Sequence, residues 1–304
     1  MSSKLPSPFQ KSPRIGFIGA GRLAQTLAMV WAEAGARVVG AYSRSAASAL
    51  ALAGKCEHAV AFSTAQALAD AADLIFLSVP DDAIAETVAQ VRWRANQGVV
   101  HCSAATEVSV LAPARGFGAA TGGFHPLQIF SDPELARHHL RGSTVAIEAE
   151  AALQETLEHL ATSVGLKPIR LKPGVRVAYH LAGNFAASCL LGLLKEAEDL
   201  WVDCGMERAD ALPAMLPLSL GTLSSAARLG LSNALAGPVS RGDSETLLRH
   251  LECASRRPAG DALYREVLQR LIALVAESNR LPAERVAALN ATVALGAKPA
   301  TRNG

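Results

Sequence analysis

A short apolar run, Arg14 to Ile18, opens directly into Gly19-Ala20-Gly21-Arg22-Leu23-Ala24, and Leu23 to Ala34 then reads as a helix that stops at Gly35. No other feature constrains the chain as much. A strand that turns on glycine into a helix is the G-x-G-x-x-G/A pattern of a dinucleotide-binding turn. Gly19 allows the tight turn, Gly21 lets the backbone approach a pyrophosphate, and Ala24 is an accepted third residue where helix packs on strand. The helix start supplies free N–H groups and a partial positive charge for phosphate oxygens. Gly19, Ala20, Gly21, Arg22 and Leu23 are therefore the expected cofactor-binding loop.

Further strands are expected at Val38–Tyr42, His58–Phe62, Leu74–Val79 and Val99–Cys102. They alternate with helices at Ala46–Ala53, Ala65–Ala71 and from Asp81-Asp82 to about Arg92. This alternation predicts an α/β fold, a doubly wound, mostly parallel Rossmann sheet. Thr144–Ile147 and Pro168–Leu171 add two strands around a helix over Ala151–Val164. The character changes at Lys172-Pro173-Gly174. Beyond it only helical patterns follow, broken at Gly205, Pro213, Pro217, Gly237-Pro238, Pro258 and Pro282. The expected layout is a flexible arm over 1–13, a Rossmann domain over 14–171 and an all-α domain over 172–304.

The end of the second strand bears on the cofactor. An NAD site usually carries Asp or Glu about 20 residues after the loop, on the ribose 2′-hydroxyl. No acidic residue lies between Glu33 and Glu57, and the strand ends Tyr42-Ser43-Arg44-Ser45. Without the carboxylate there is no repulsion against a 2′-phosphate. Arg44 adds a planar, permanently charged donor, and Ser43 and Ser45 add hydroxyls. NADP is the expected cofactor. Ligands of open α/β sheets sit beyond the C-terminal strand ends, which nominates Val79-Pro80-Asp81 after the fourth strand and Ser103 after the fifth. Asp81 and Asp82 read as helix caps.

Composition limits the partners. With 304 residues, half of them hydrophobic, the chain can bury a substantial core in two domains. A net charge of +2 and the lack of a long basic run give no reason to expect nucleic acid or a membrane surface as partner. The cysteines, Cys56, Cys102, Cys189, Cys204 and Cys253, form no C-x-x-C pair. Neither a metal site nor a disulfide framework is expected, and reduced, mostly buried thiols in the cytoplasm are. Met1 to Arg14 lacks the apolar segment of a secretory signal. The longest apolar stretch, Val177 to Leu194, contains His180 and Asn184 and reads as a buried core helix, not a membrane span.

Hydride transfer to a small molecule needs a group that gives or takes a proton at the reacting atom. Three clusters can supply one. Gly122-Gly123-Phe124-His125-Pro126-Leu127 reads as a loop whose glycines and proline fix His125. Arg176, His180, Asn184 and Ser188 fall at i, i+4, i+8 and i+12 of an apolar helix, one polar stripe. Such a stripe costs desolvation unless it faces partners or a cleft. Gly237-Pro238-Val239-Ser240-Arg241-Gly242-Asp243 offers Arg241 for an anionic substrate group, with Asp243 as an ordinary N-cap.

On these residues the chain resembles the bacterial Rossmann-like proteins with a DUF 2520 C-terminal domain. The matching segments are Gly19–Ala24, Val79-Pro80-Asp81-Asp82, Gly123-Phe124-His125-Pro126-Leu127, Tyr179-His180, and Gly237 to Asp243 with His250-Leu251. That family is similar to 6-phosphogluconate dehydrogenase-like proteins, deazaflavin-dependent NADP oxidoreductases and pyrroline-5-carboxylate reductases. The resemblance implies a helical C-terminal domain that dimerises and an active site between domains. His180 stands where hydroxyacid dehydrogenases of that group carry the lysine of Lys-x-x-x-Asn, with Asn184 in place. Arg176 stands where the family pattern has lysine. The Gly-x-His-Pro segment around His125 is similar to one in prephenate and arogenate dehydrogenases, where a histidine serves near the nicotinamide.

The expected protein is thus an NADP-dependent oxidoreductase acting on a small carbonyl or imine. His180 is the first catalytic candidate, as general acid/base, with Asn184 orienting it or the substrate, and His125 is the second; Arg241, Arg176 and Ser188 are the substrate-binding candidates. A homodimer is the expected assembly. The rival reading is a non-catalytic NADP-binding regulatory or assembly protein, since fold does not decide chemistry.

Overall fold

The computed structural model describes residues 12–295. All but the last two residues of the expected arm lie outside them. β1 (Ile15–Ile18) is buried along its whole length and leads into α1 (Arg22–Glu33). Then follow β2 (Val38–Tyr42), α2 (Ala46–Ala53), β3 (Val60–Ala61), α3 (Ala65–Ala71), β4 (Leu74–Leu77), α4 (Ile84–Gln90) and β5 (Gly98–His101). α5 (Ala112–Gly116), β6 (Ala120–Pro126), α6 (Pro133–Leu140), β7 (Thr144–Ala149), α7 (Ala151–Ser163), β8 (Lys167–Arg170) and α8 (Arg176–Ala186) come next. The eight strands form one sheet in the order β3-β2-β1-β4-β5-β6-β7-β8. Every pairing is parallel except β6 with β7.

Strand periodicity assigns the two faces. Ile15, Phe17, Leu74, Phe76, Val100 and Phe124 point to one face, where α1 and α7 cover them. Phe17, Trp31, Phe76 and Phe124 form a ring cluster with centroid separations of 4.8–6.0 Å. The indole N–H of Trp31 donates to the buried Leu160 carbonyl at 3.1 Å, so the one polar atom of this cluster is satisfied. Ile18, Ile75, Leu77 and Val99 point the other way and pack with residues of α3 and α4. Ser45, Thr64 and Asp132 cap their helices through side-chain oxygens.

Packing divides the chain into two compact units, one ending at Ala187 and the other beginning at Ser188. The second unit contains α9 (Ser188–Asp203), α10 (Arg208–Leu229), α11 (Leu231–Ala234), α12 (Pro238–Arg241), α13 (Ser244–Ala254), α14 (Pro258–Glu277) and α15 (Ala283–Leu295). Its core is Val239, Leu247, Leu251, Leu268, Ile272, Val275, Leu289 and Val293. The all-α character expected of the C-terminal region holds among the described residues.

Four expectations are corrected. Gly122 to Pro126 is not a loop but part of β6. Glycine lowers strand propensity, yet here it is required: a Cβ on Gly122 would lie 2.8 Å from the Cβ of Ala149. Val177 to Leu194 is not a buried core helix. It is split at Ala187 between α8 and α9, and Val177, Leu181, Phe185 and Leu191 are exposed. By length and composition the run Arg176–Asp203 is apolar enough to cross a membrane. Pro213 and Pro217 do not break a helix but lie inside α10. Both are exposed, so water can serve the carbonyls that their missing N–H groups leave free. The thiols are all free, but three of the five, Cys189, Cys204 and Cys253, are exposed.

Candidate functional site at the C-terminal edge of the sheet

The glycine turn is built for close approach. Gly19 has φ of +94°, and a Cβ there would lie 2.6 Å from the Ser78 carbonyl carbon and 3.1 Å from Val79 Cγ1. Only glycine fits such a backbone beside β4. Nothing stands within 4 Å of a Cβ built on Gly21. One glycine thus closes the turn on the protein, and the other leaves room on the open side. Gly21 is the N-cap of α1 and makes no side-chain cap, so the first N–H groups of the helix remain for a ligand. These residues fit a dinucleotide pyrophosphate. Ala20 is buried and Leu23 half-buried, which anchors the turn. The Arg22 guanidinium donates to the Ser131 carbonyl at 2.9 Å. At the end of β2, Ser43 Oγ accepts from the Ser45 N–H at 3.3 Å. Arg44 is exposed and has no ion pair among the described residues.

A polar cluster lies along the same sheet edge. Tyr42, Ile18, Leu77, His101, Gly123 and Glu148 are successive Cα partners from β2 to β7. Paired residues project to the same face. Beyond β4, Val79 is half-buried and Pro80 exposed. Asp81 is not a side-chain helix cap; it accepts from the Ser103 hydroxyl at 2.7 Å. Ser103 Oγ also accepts from the Thr106 N–H at 3.0 Å, so its loop is fixed. Arg176, from α8, is fully buried. Its Nε donates to Glu148 Oε2 at 2.8 Å and its Nη1 to the Ser103 carbonyl at 3.0 Å. The guanidinium is thus anchored on the sheet by Glu148 and Ser103, while its Nη2 has no partner among the described residues.

His125 Nδ1 is 3.0 Å from Tyr179 Oη, with the rings edge to face. Burial, then the charges of His180 and Arg176, push the His125 pKa down to about 4, against a smaller upward pull from Asp81. Burial pushes the Tyr179 phenol up to about 12. His125 is therefore neutral and Tyr179 protonated across the ordinary range, a pair in which one partner donates and the other accepts. His101, fully buried, has both ring nitrogens without a partner among the described residues, and burial followed by the Arg176 charge lowers its pKa to about 3.

The structure brings together His125, Ser103 and Arg176 in the first unit. It adds Tyr179, Asp81, His101 and Glu148 to the same polar cluster. Of these, Tyr179 and Asp81 carry a local signal, through the Tyr179-His180 pair and the Val79-Pro80-Asp81-Asp82 segment; His101 and Glu148 carry none. His180 and Asn184 lie on α8 and are exposed, while Ser188 starts α9 beyond the helix break, so the single stripe is divided. Arg241 lies in the second unit, exposed, at the end of α12. Asp243 is the N-cap expected of it, accepting from the Thr246 N–H at 3.0 Å.

Two family models match the chain. One, NADP oxidoreductase coenzyme F420-dependent, matches residues 14–105; the other, a domain of unknown function, DUF2520, matches residues 143–271. No match is found among curated proteins. Among solved structures, a protein from Bacteroides fragilis described as an NADP oxidoreductase is 26% identical, with TM-score 0.68, over 86% of this chain and 98% of its own. A Thermotoga maritima protein is 20% identical, with TM-score 0.70, over 88% of this chain and 100% of its own. A reductive aminase from Aspergillus terreus, solved with NADPH and a keto ester, is 17% identical with TM-score 0.62, over 94% of this chain and 93% of its own. The last two likenesses establish the fold. Residues 14–105 thus match the F420-type NADP oxidoreductase model and residues 143–271 the DUF2520 model, the combination that the sequence motifs resemble.

Proposed function

We propose that the protein is an NADP-dependent oxidoreductase that reduces a small carbonyl or imine, or runs the reverse reaction. The observation that carries this is the His125–Tyr179 hydrogen bond, set at the same sheet edge as the glycine turn. Gly19 to Leu23 would hold the pyrophosphate, with Ser43 and Arg44 on the 2′-phosphate and Val79, Pro80 and Ser103 along the cleft. Bound NADPH supplies the hydride. The protein's own side chains supply the proton. Tyr179 Oη gives it to the oxygen or nitrogen of the substrate, His125 Nδ1 returns one to Tyr179, and Nε2 takes one from solvent. His180, exposed and within electrostatic reach of His125, is the second candidate for that exchange, with Asn184 orienting it. Arg241 is the proposed anchor for an anionic substrate group.

We place the enzyme in the cytoplasm as a homodimer. Its free thiols suit a reducing compartment. α10 runs 22 residues with one buried side chain, Ala211, while Leu212, Leu216, Leu218, Leu220, Leu223 and Leu229 are exposed. Apolar surface on that scale marks an interaction face.

The test is NADPH oxidation against ketones, keto acids and imines, with Tyr179→Phe and His125→Ala beside the wild type. Turnover that falls by about 100-fold in Tyr179→Phe is expected of a lost proton donor. NADPH binding with no oxidation by any member of the panel would replace this reading with the regulatory one.

A further inference from the structure

Helix α8 and strand β6 meet rung by rung. Gly123, His125 and Leu127 recur every second residue, so they project to one face. Each meets one residue of α8: Gly123 lies under the Arg176 guanidinium, His125 bonds Tyr179, and Leu127 packs against Gly183. The α8 residues fall at i, i+3 and i+7, the spacing of one helix face. Two strand residues advance about 6.6 Å, and three or four helix residues about 4.5–6 Å, so the rungs stay in step over this length. The outer rungs interlock in opposite senses. A Cβ on Gly123 would lie 2.7 Å from Arg176 Cζ, and one on Gly183 would lie 2.9 Å from Leu127 Cδ1. The strand gives way to the helix at one end, and the helix to the strand at the other.

The first rung is the stiffest. Arg176 is fully buried, and its guanidinium is held from two sides, by Glu148 on β7 and by the Ser103 carbonyl after β5. A buried ion pair adds little net stability, but it admits few alternative geometries, and specifying a register is its best-attested use. Tyr179 lies three residues further along the helix.

We propose that Glu148 and Arg176, admitted by the missing side chain at Gly123, are positioning residues that fix the register of α8 on β6 and so place Tyr179 Oη on His125 Nδ1. Neither touches substrate; both place Tyr179, and the Arg176 charge also acts directly on His125. The inference rests on the proposed proton-transfer role of that pair for its meaning, but its test needs no turnover.

The experiment reads the His125 ring nitrogens by NMR in the full chain, with and without Tyr179→Phe. In the wild type, Tyr179→Phe shifts the Nδ1 resonance because it removes the hydrogen bond. In Glu148→Met/Arg176→Met, which removes both charges and leaves neither orphaned, the same substitution is expected to have no effect. Arg176→Lys keeps the positive charge but loses the two-sided grip, which separates register from field. It is expected to reduce the Tyr179→Phe shift and to remain folded if the double variant does not. A Tyr179→Phe shift of wild-type size in either folded variant overturns the proposal. If the shift is lost but the wild type reduces nothing, the lock stands and the reductase reading fails.

Discussion

Gly19 and Ser78 pack so closely that no side chain can stand between them: a Cβ on Gly19, at φ +94°, would lie 2.6 Å from the Ser78 carbonyl carbon. Gly21, two residues on, faces open space. The two glycines of one motif therefore make different demands, and substitution should separate them. Gly19→Ala combines left-handed strain with a backbone clash and is expected to lower stability by more than about 1 kcal/mol, and NADPH binding with it. Gly21→Ala should melt like the wild type but bind NADPH more weakly, because the added methyl occupies the space the pyrophosphate needs. Thermal melts and fluorescence titration with NADPH measure both. A Gly21→Ala protein with wild-type affinity would remove the pyrophosphate from this turn.

In the proposed reading, cofactor choice rests on Arg44 and on what is missing beside it. Arg44 is exposed, and no carboxylate lies between Glu33 and Glu57 in the chain. A charge-assisted hydrogen bond of this kind contributes about 1.5–3 kcal/mol. Arg44→Ala should therefore weaken NADPH binding by about 10- to 100-fold and leave NADH binding nearly unchanged. Equal losses for both cofactors would place Arg44 away from the 2′-phosphate.

These features were legible because they are local. The glycine turn and Arg44 fall within a single β-α-β unit, from Ile15 on β1 to the residues just after β2, and the missing acid is missing from the same stretch. The tertiary features were not legible. Gly122-Gly123 reads as loop by propensity, and only the neighbours Ala149 and Arg176 explain glycine inside β6. The stripe Arg176, His180, Asn184 and Ser188 has the right period, but the face that meets the sheet is Arg176, Tyr179 and Gly183. An apolar helix offers several such faces, and the sequence does not say which one finds β6. Ala187, where the helix breaks, has no proline or glycine to announce it. Lys172-Pro173-Gly174 marks the change to helical pattern, whereas packing places the division after α8.

Acid stability follows from His101. It is fully buried at the end of β5, and its folded pKa of about 3 lies below the ordinary 6.5 of the unfolded chain. The unfolded state therefore takes up a proton as pH falls through 6.5, while the folded state stays neutral until about 3. Stability is full above the unfolded value and drains away as pH falls between the two. At about pH 4.5 the loss from this one group is of the order of 2–3 kcal/mol. His125, lowered to about 4 by burial first, adds in the same direction. Melting temperature should fall across this window, and the fall should be shallower in His101→Leu. A His101→Leu protein with the wild-type acid profile would show that other groups set it.

The exposed leucines of α10 make the assembly testable. Leu220 is 56% exposed and Leu223 52%, and they share one face with Leu212 and Leu216 on a helix whose only buried side chain is Ala211. Burying a leucine fully contributes about 1.5–3 kcal/mol, so several of them on one face supply a strong drive to associate. A charge placed among them would have to be desolvated unpaired on pairing with a second copy. Leu220→Arg should therefore shift the protein from dimer to monomer in sedimentation at micromolar concentration. The core of the second unit, Leu247, Leu251, Leu268 and Ile272, contains no residue of α10, so far-ultraviolet circular dichroism should stay unchanged. A wild-type protein that sediments as a monomer throughout would sink the dimer. A dimer indifferent to Leu220→Arg would move the interface elsewhere, to the exposed Phe185 and Leu191 of α8 and α9.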